Sequence, residues 1–317
     1  MLSIEISGRQ IRLVEGQWRA GALQVTGFDS AAAPEGSVKG GVLTAPAELA
    51  AVLRASIQKN HFRSRQAVLT LGGPAVATRE VVVPAVKPKQ MAHVLRGEIE
   101  QMNSAKQEHL LDYVTLEREG ADQLRVLCVV VPRVLVASYR ELIASLGLKP
   151  AGMDVAAHAI YPLARVDRQL SGPGAAILAW VGPEEINLAL VESRSRIFYR
   201  SAPVGAPAQQ MQSEFILSSL SLDAMGGQAA QQERTYAAAS ENIAKLIQFQ
   251  VIKNREQPVD RILLCGPMAQ DEGLARRLAA DTGLSAAPVA APAFIRCAGP
   301  ALPYSQYLYA LGVLIGS

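Results

Sequence analysis

The stretch Leu2-Ser3-Ile4-Glu5-Ile6-Ser7-Gly8-Arg9-Gln10-Ile11-Arg12-Leu13-Val14-Glu15 decides how this chain is to be read. Residues 2–6 alternate between apolar and polar, and 10–15 take up the pattern again. That is the two-residue period of a strand with one buried face. Gly8 falls between the two runs, where a tight turn reverses the chain. Residues 22–27 supply a third short segment. The opening is therefore strand, turn, strand, with another strand behind. The second half repeats this plan from about residue 175, with strands expected at 176–181, 186–192 and 196–200. Two halves built alike predict pseudo-repeats around a cleft.

Working outward, Pro46 suits a first helical turn, and Leu49, Val52, Leu53 and Ile57 fall on one face of the helix that follows. A strand is expected at 67–71. Residues 80–83 form a β-rich run closed by Pro84, and Pro88 starts a helix with the apolar stripe Met91, Val94, Leu95, Ile99 and Met102. Strands at 111–119 and 124–131 flank the turn at 119–122. Pro132 then opens a helix through Leu135, Tyr139, Leu142 and Leu146 that stops at Gly147. This order predicts a compact α+β unit, about 81–154, inserted in the first half. Helical stretches at 206–224 and 231–255, separated by Gly226-Gly227, predict a reduced helical subdomain about 206–257. A strand at 261–265 and helices at 271–281 and 308–315 complete the second half. The expected domains are 1–172 and 173–317.

The chain has 317 residues and a mass of 33.8 kDa, enough for two domains with sizeable cores. Half of it is hydrophobic and 19% is charged, the balance of a globular protein. The net charge of +3 is spread along the chain, which argues against a nucleic-acid footprint. Cys128, Cys265 and Cys297 are widely spaced and read as thiols of a reducing compartment. The four histidines show no metal-ligand spacing. Neither a nucleophile elbow nor a Gly-x-x-x-x-Gly-Lys-Ser/Thr phosphate loop occurs. The start lacks a secretory signal, no apolar run approaches a membrane span, and the end at Gly316-Ser317 carries no amphipathic membrane helix. These features predict a cytosolic protein without direct membrane insertion.

Several stretches, taken in order, resemble the PilM family of actin-like pilus assembly proteins and its relative FtsA. They are residues 11–15, 111–114, 147–150 leading to 153–155, 197–200 with 203–205, and 260–266. The resemblance spans nearly the whole chain. It implies an α/β, actin-like (ribonuclease H-like, duplicated) two-domain fold with an inserted α+β subdomain. It also implies a cytoplasmic scaffold of a type IV pilus or related machine, peripheral at the inner membrane. The implied partners are the cytoplasmic N-terminal tail of a PilN-like bitopic membrane protein and other inner-membrane platform components. Residues 80–83 and 124–131 are strands along which such a tail could add. The alternatives on the same fold are an ATP-binding ATPase or kinase, or the cytoplasmic part of a GspL-like type II secretion protein.

The resemblance further implies ATP with Mg²⁺ pinched between the two hairpins. Glu5, Ser7, Gly8 and Arg9 occupy the first phosphate turn, Gly182 the second, and Gly266 the adenine side. Each departs from the family pattern or stands beside a departure. The family's Asp-Ile-Gly becomes Glu5-Ile6-Ser7, and its second copy becomes Trp180-Val181-Gly182-Pro183-Glu184-Glu185. Pro183 removes an amide donor, and two carboxylates stand where a triphosphate would lie. The expectation is nucleotide binding that is weak or lost, and no ATPase activity. On the bland alternative, Glu5 and Arg9 are solvated turn residues.

Overall fold

The opening hairpin forms in the register its pattern requires. β1 (Leu2–Ser7) pairs antiparallel with β2 (Gln10–Arg19), from Leu2 opposite Glu15 to Ser7 opposite Gln10. The computed structural model describes residues 1–7, 9–100, 108–204 and 227–316. Gly8 and the expected helix at 206–224 lie outside the described residues. β3 (Ala22–Ala32) continues the sheet and is longer than the expected third segment. A small ladder, β4 (Val38–Lys39) with β5 (Val42–Leu43), leads to α1 (Pro46–Lys59), which begins on its proline as expected. Leu49 and Leu53 bury one face of α1, and β6 (Gln66–Leu71) then runs parallel to β1.

The insert is a separate three-stranded sheet. Its elements are β7 (Ala77–Pro84), α2 (Pro88–Glu100), β8 (His109–Glu119) and β9 (Gln123–Pro132), with strand order β7-β9-β8. Met91 and Leu95 of α2 bury against Val83, Val126, Cys128 and Val130, giving the insert its own core. Val94 of the expected stripe packs partly buried against this core, and the Ile99 side chain and Met102 lie outside the described residues. Two expectations are corrected here. β9 is the central strand, with its backbone groups taken by β7 and β8, so residues 124–131 offer no free edge. The separate sheet also covers only 77–132. α3 (Arg133–Ser145) buries Leu135, Tyr139, Leu142 and Ile143 in one core with Leu49 and Leu53, and β10 (Lys149–Val155) pairs with β6 in the first sheet.

After α4 (Ala156–Val166) the plan repeats. β11 (Ala175–Val181) and β12 (Glu185–Val191) form the second hairpin, from Ala176 opposite Val191 to Val181 opposite Ile186, and β13 (Ile197–Pro203) follows. α5 (Gln228–Lys253) covers this sheet with Ala239, Ile243 and Leu246. β14 (Val259–Cys265) runs parallel to β11 as β6 does to β1. α6 (Glu272–Thr282), whose N-cap Asp271 accepts from the Leu274 amide at 3.0 Å, and β15 (Ser285–Pro288) complete the second sheet.

The chain then crosses back. β16 (Ile295–Cys297) adds to β3, and beyond a single 3₁₀ turn α7 (Leu308–Gly316) packs on α4, β1 and β2. A division at residue 172 therefore does not follow the hydrogen bonding, because residues from 295 onward return to the first sheet. The cause is the composition of α7. Leu308, Tyr309, Leu311, Val313 and Leu314 are all at most 4% exposed and need apolar neighbours on every side. α4 is buried almost as fully, from Ala156 to Ala164 apart from His158. The two helices meet at Gly312, where a Cβ would sit 2.0 Å from the Ala159 carbonyl oxygen. Among the described residues, no helix is long and apolar enough to cross a membrane.

Candidate functional site between the two hairpins

The two hairpin turns face each other across one cavity of about 320 Å³. Ser7, Arg9 and Gln10 form one wall, and Trp180, Glu184 and Glu185 form the other. Arg9 reaches across it, its Nε 2.8 Å from Glu184 Oε1. Both side chains are at least half exposed, so this bridge closes the mouth without contributing much stability. A larger, open depression of about 590 Å³ is lined by Arg65 and Lys149. It lies at the opposite end of the first sheet, where β6 and β10 begin.

Beneath the first turn, Glu5 is not the solvated residue of the bland alternative. It is 3% exposed and stands opposite Arg12, 1% exposed, with Arg12 Nη1 3.2 Å from its Oε1. The same Nη1 donates to Ser7 Oγ at 3.2 Å. Burial pushes the Glu5 carboxyl above its ordinary range, while the Arg12 guanidinium and the nearby Ala310 amide oppose that shift. Among the described residues its Oε2 has no hydrogen-bond partner. One oxygen of the Glu5 carboxylate is thus engaged by a buried guanidinium. The sequence reading missed Arg12; pairing the two opening strands with Ser7 opposite Gln10 sets it directly across the ladder from Glu5 and is the signal that would have found it.

In the second half, Trp180 lines the cavity at the end of β11. Its ring stacks on Tyr309, with centroids 6.5 Å apart and planes 17° apart. A Cβ on Gly182 would come within 2.6 Å of this ring, and one on Gly266 within 2.7 Å. Neither glycine amide is free. Gly182 N donates to the Glu185 carbonyl at 3.0 Å and Gly266 N to the Ser305 carbonyl at 2.8 Å. The structure thus brings Ser7 and Arg9 to the cavity wall, places Glu5 below it, and sets Gly182 and Gly266 against the indole. Glu185 faces the cavity and makes no ion pair among the described residues; Asn187 Nδ2 approaches it at 3.5 Å. Burial, with the charges of Glu184 and Glu5, pushes its carboxyl up.

As a cradle for a polyphosphate with magnesium, these residues fit poorly. The amides that would bind anions are used internally, Pro183 has none, and Glu184 and Glu185 line the space. Among the described residues, no group of three His, Cys, Asp or Glu is placed to hold a metal ion.

A second polar cluster ties the insert to the other half. Arg125 of β9 meets Glu80, Glu117 and Glu119, and Arg196, beyond the β12 strand, reaches Glu117 at 3.5 Å and Glu119 at 3.6 Å. Ser195 Oγ donates to Glu117 Oε2 at 2.5 Å. This hydroxyl, with Arg125 and Arg196, holds the Glu117 carboxyl below its ordinary range. Tyr161 of α4 donates to Glu80. The cluster was not legible in the sequence, because it joins residues far apart along the chain.

Two sheets with the same strand-hairpin opening, a cleft between the hairpins and helices crossing behind it define a duplicated, actin-like body. Solved structures agree. The chain is similar to a protein of a PilM-PilN type IV pilus biogenesis complex, at 21% identity and TM-score 0.78, over 99% of this chain and 97% of that one. It is also similar to the ethanolamine utilization protein EutJ from Carboxydothermus hydrogenoformans (12% identity, TM-score 0.51, 100% and 89% covered). A Bacteroides thetaiotaomicron protein with an actin-like ATPase fold matches at 10% identity and TM-score 0.50, over 99% and 94%. At these identities the likeness concerns the fold. No curated protein matches the sequence. The sequence profile described as "Type IV pilus assembly protein PilM" matches residues 3–300, and the chain belongs to that family.

Proposed function

We propose that the chain is a non-catalytic docking body of a type IV pilus assembly machine. It would sit at the cytoplasmic face of the inner membrane by holding the cytoplasmic tail of a PilN-like single-span protein. Family membership over residues 3–300 carries this reading. The full-length likeness to a protein of a PilM-PilN complex supports it. The insert supplies a suitable place. β7 is an edge strand of its sheet, and Val82 on it is 43% exposed. An extended tail adding along β7 would gain main-chain hydrogen bonds and set its apolar side chains against the insert.

The cleft supports a role without nucleotide turnover. Trp180, the Glu5–Arg12 pair and the Arg9–Glu184 bridge supply from within what a bound nucleotide and metal would supply in an ATP-dependent relative. The ATPase or kinase alternative needs anion-binding amides at the turns, and those of Gly182 and Gly266 are already bonded within the protein. The test is titration of a synthetic partner tail into the full chain and into Val82→Asp. Binding weakened about ten-fold or more by the substitution supports the insert edge. Equal binding by both removes β7 from the proposal, and no binding by the full chain removes the tail.

A further inference from the structure

The second half carries an exposed apolar patch that neither the cleft nor the insert uses. Phe198 of β13 stacks on Phe249 of α5, with ring centroids 4.9 Å apart and planes 29° apart, yet the two residues remain 41% and 39% exposed. One helical turn beyond Phe249, on the same face, Ile252 is 83% exposed. An isoleucine this exposed beside two half-open aromatic rings is costly in water and marks a contact surface.

Cations surround it. Lys253 Nζ lies 5.9 Å from the Phe249 ring centre and bonds Glu192 at 2.7 Å, which fixes the end of α5 against the β12–β13 turn. Gln250 Nε2, bonded to the same carboxylate at 2.9 Å, confirms the juxtaposition. Of the arginines and lysines in residues 192–200 and 245–256, Arg196 is paired with Glu117 and Glu119, Lys245 with Glu241 and Lys253 with Glu192. Arg194 and Arg255 are exposed and make no ion pair among the described residues.

We propose that this patch rests on an anionic phospholipid bilayer, with Ile252 and the aromatic pair at the headgroup boundary and Arg194, Lys253 and Arg255 over the lipid phosphates. Charge complementarity selects an anionic surface, and the shape selects a soft one. Ile252 protrudes from the last turn of a helix. A protein partner would have to present a matching hollow, whereas lipid headgroups part around a side chain. The contact would be interfacial, without a spanning segment. It is independent of tail capture at the insert, because it uses other residues and needs no partner.

The experiment is co-sedimentation of the full chain with vesicles of phosphatidylglycerol in phosphatidylcholine, and with phosphatidylcholine alone. Wild type should bind only the anionic vesicles, less as salt is raised. Ile252→Asp should weaken binding roughly ten-fold. Arg194→Glu and Arg255→Glu should each weaken it about five-fold or more. Val42→Asp, at an exposed position of the first half, should match wild type. Unchanged melting temperatures would show that the variants remain folded. Failure of wild type to bind anionic vesicles, or equal binding by Ile252→Asp and wild type, overturns the proposal. So does loss of self-association or of tail-peptide binding in these variants with vesicle binding unchanged, which would assign the patch to a second copy or to the partner.

Discussion

Arg12 and Glu5 stand opposite each other on the first hairpin, 3.2 Å apart and almost wholly enclosed. A buried pair is costly to assemble and costlier to halve. Arg12→Met should therefore destabilise the protein by about 3–5 kcal/mol, because it strands the Glu5 carboxylate. The double variant Glu5→Leu, Arg12→Met should recover most of that loss. Urea unfolding of the single and double variants measures both, and additive losses would contradict the pairing.

Glu185 gives a pH signature. Its folded carboxyl is raised above its ordinary value by burial and by the charges of Glu184 and Glu5. A raised folded pKa means that the group's contribution to stability is present below about pH 4.5, the unfolded value, and is lost as pH rises through the folded pKa. Glu185→Gln keeps the side chain able to accept from Asn187 and removes the charge. It should stabilise the protein near pH 7 by about 1 kcal/mol, and the gain should shrink toward acid pH. Melting curves across that range check the sign; a destabilised variant at neutral pH contradicts it.

Gly182 is read here as a space for Trp180, not for phosphate. Gly182→Ala should cost about 1–3 kcal/mol through the 2.6 Å approach to the indole. The cost should largely vanish in a Trp180→Ala background. A double-mutant cycle by chemical unfolding gives the coupling, and zero coupling would leave the glycine without this explanation.

Much of this architecture was legible in the sequence. Alternation marked the first hairpin and the repeated plan the second, and Pro46, Pro88, Gly147 and Asp271 marked helix ends within a few residues of those observed. What escaped was tertiary in origin. α4, which holds Pro162 within it, was not among the expected elements, and the packing of α7 on β1 and β2 of the first sheet could not be read from its own residues. The return of β16 to β3 depends on a partner strand more than 260 residues upstream. The central position of β9 follows from pairing on both sides, which alternation in one strand cannot reveal. At the site, the exchange of an aspartate for Trp180 was visible. That the indole would press on both Gly182 and Gly266 was not.

Millimolar Mg-ATP should raise the melting temperature by less than about 1 °C. A ligand stabilises only by RT ln(1 + [L]/Kd), and the cleft offers no free amide at Gly182 or Gly266. A shift of several degrees, absent with Mg²⁺ alone, would mean that the Arg9–Glu184 bridge opens to admit nucleotide.

The central claim is that this body works by holding a partner without help from a nucleotide. The most direct measurement is the Kd of a synthetic partner tail for the full chain, taken with and without saturating Mg-ATP. Coupling between two sites is reciprocal, so a nucleotide that controls the body must change the tail's affinity. The account predicts binding in both conditions with Kd values equal within about two-fold. Binding that appears only with Mg-ATP, or tightens about ten-fold or more in its presence, a coupling of about 1.4 kcal/mol, would contradict it.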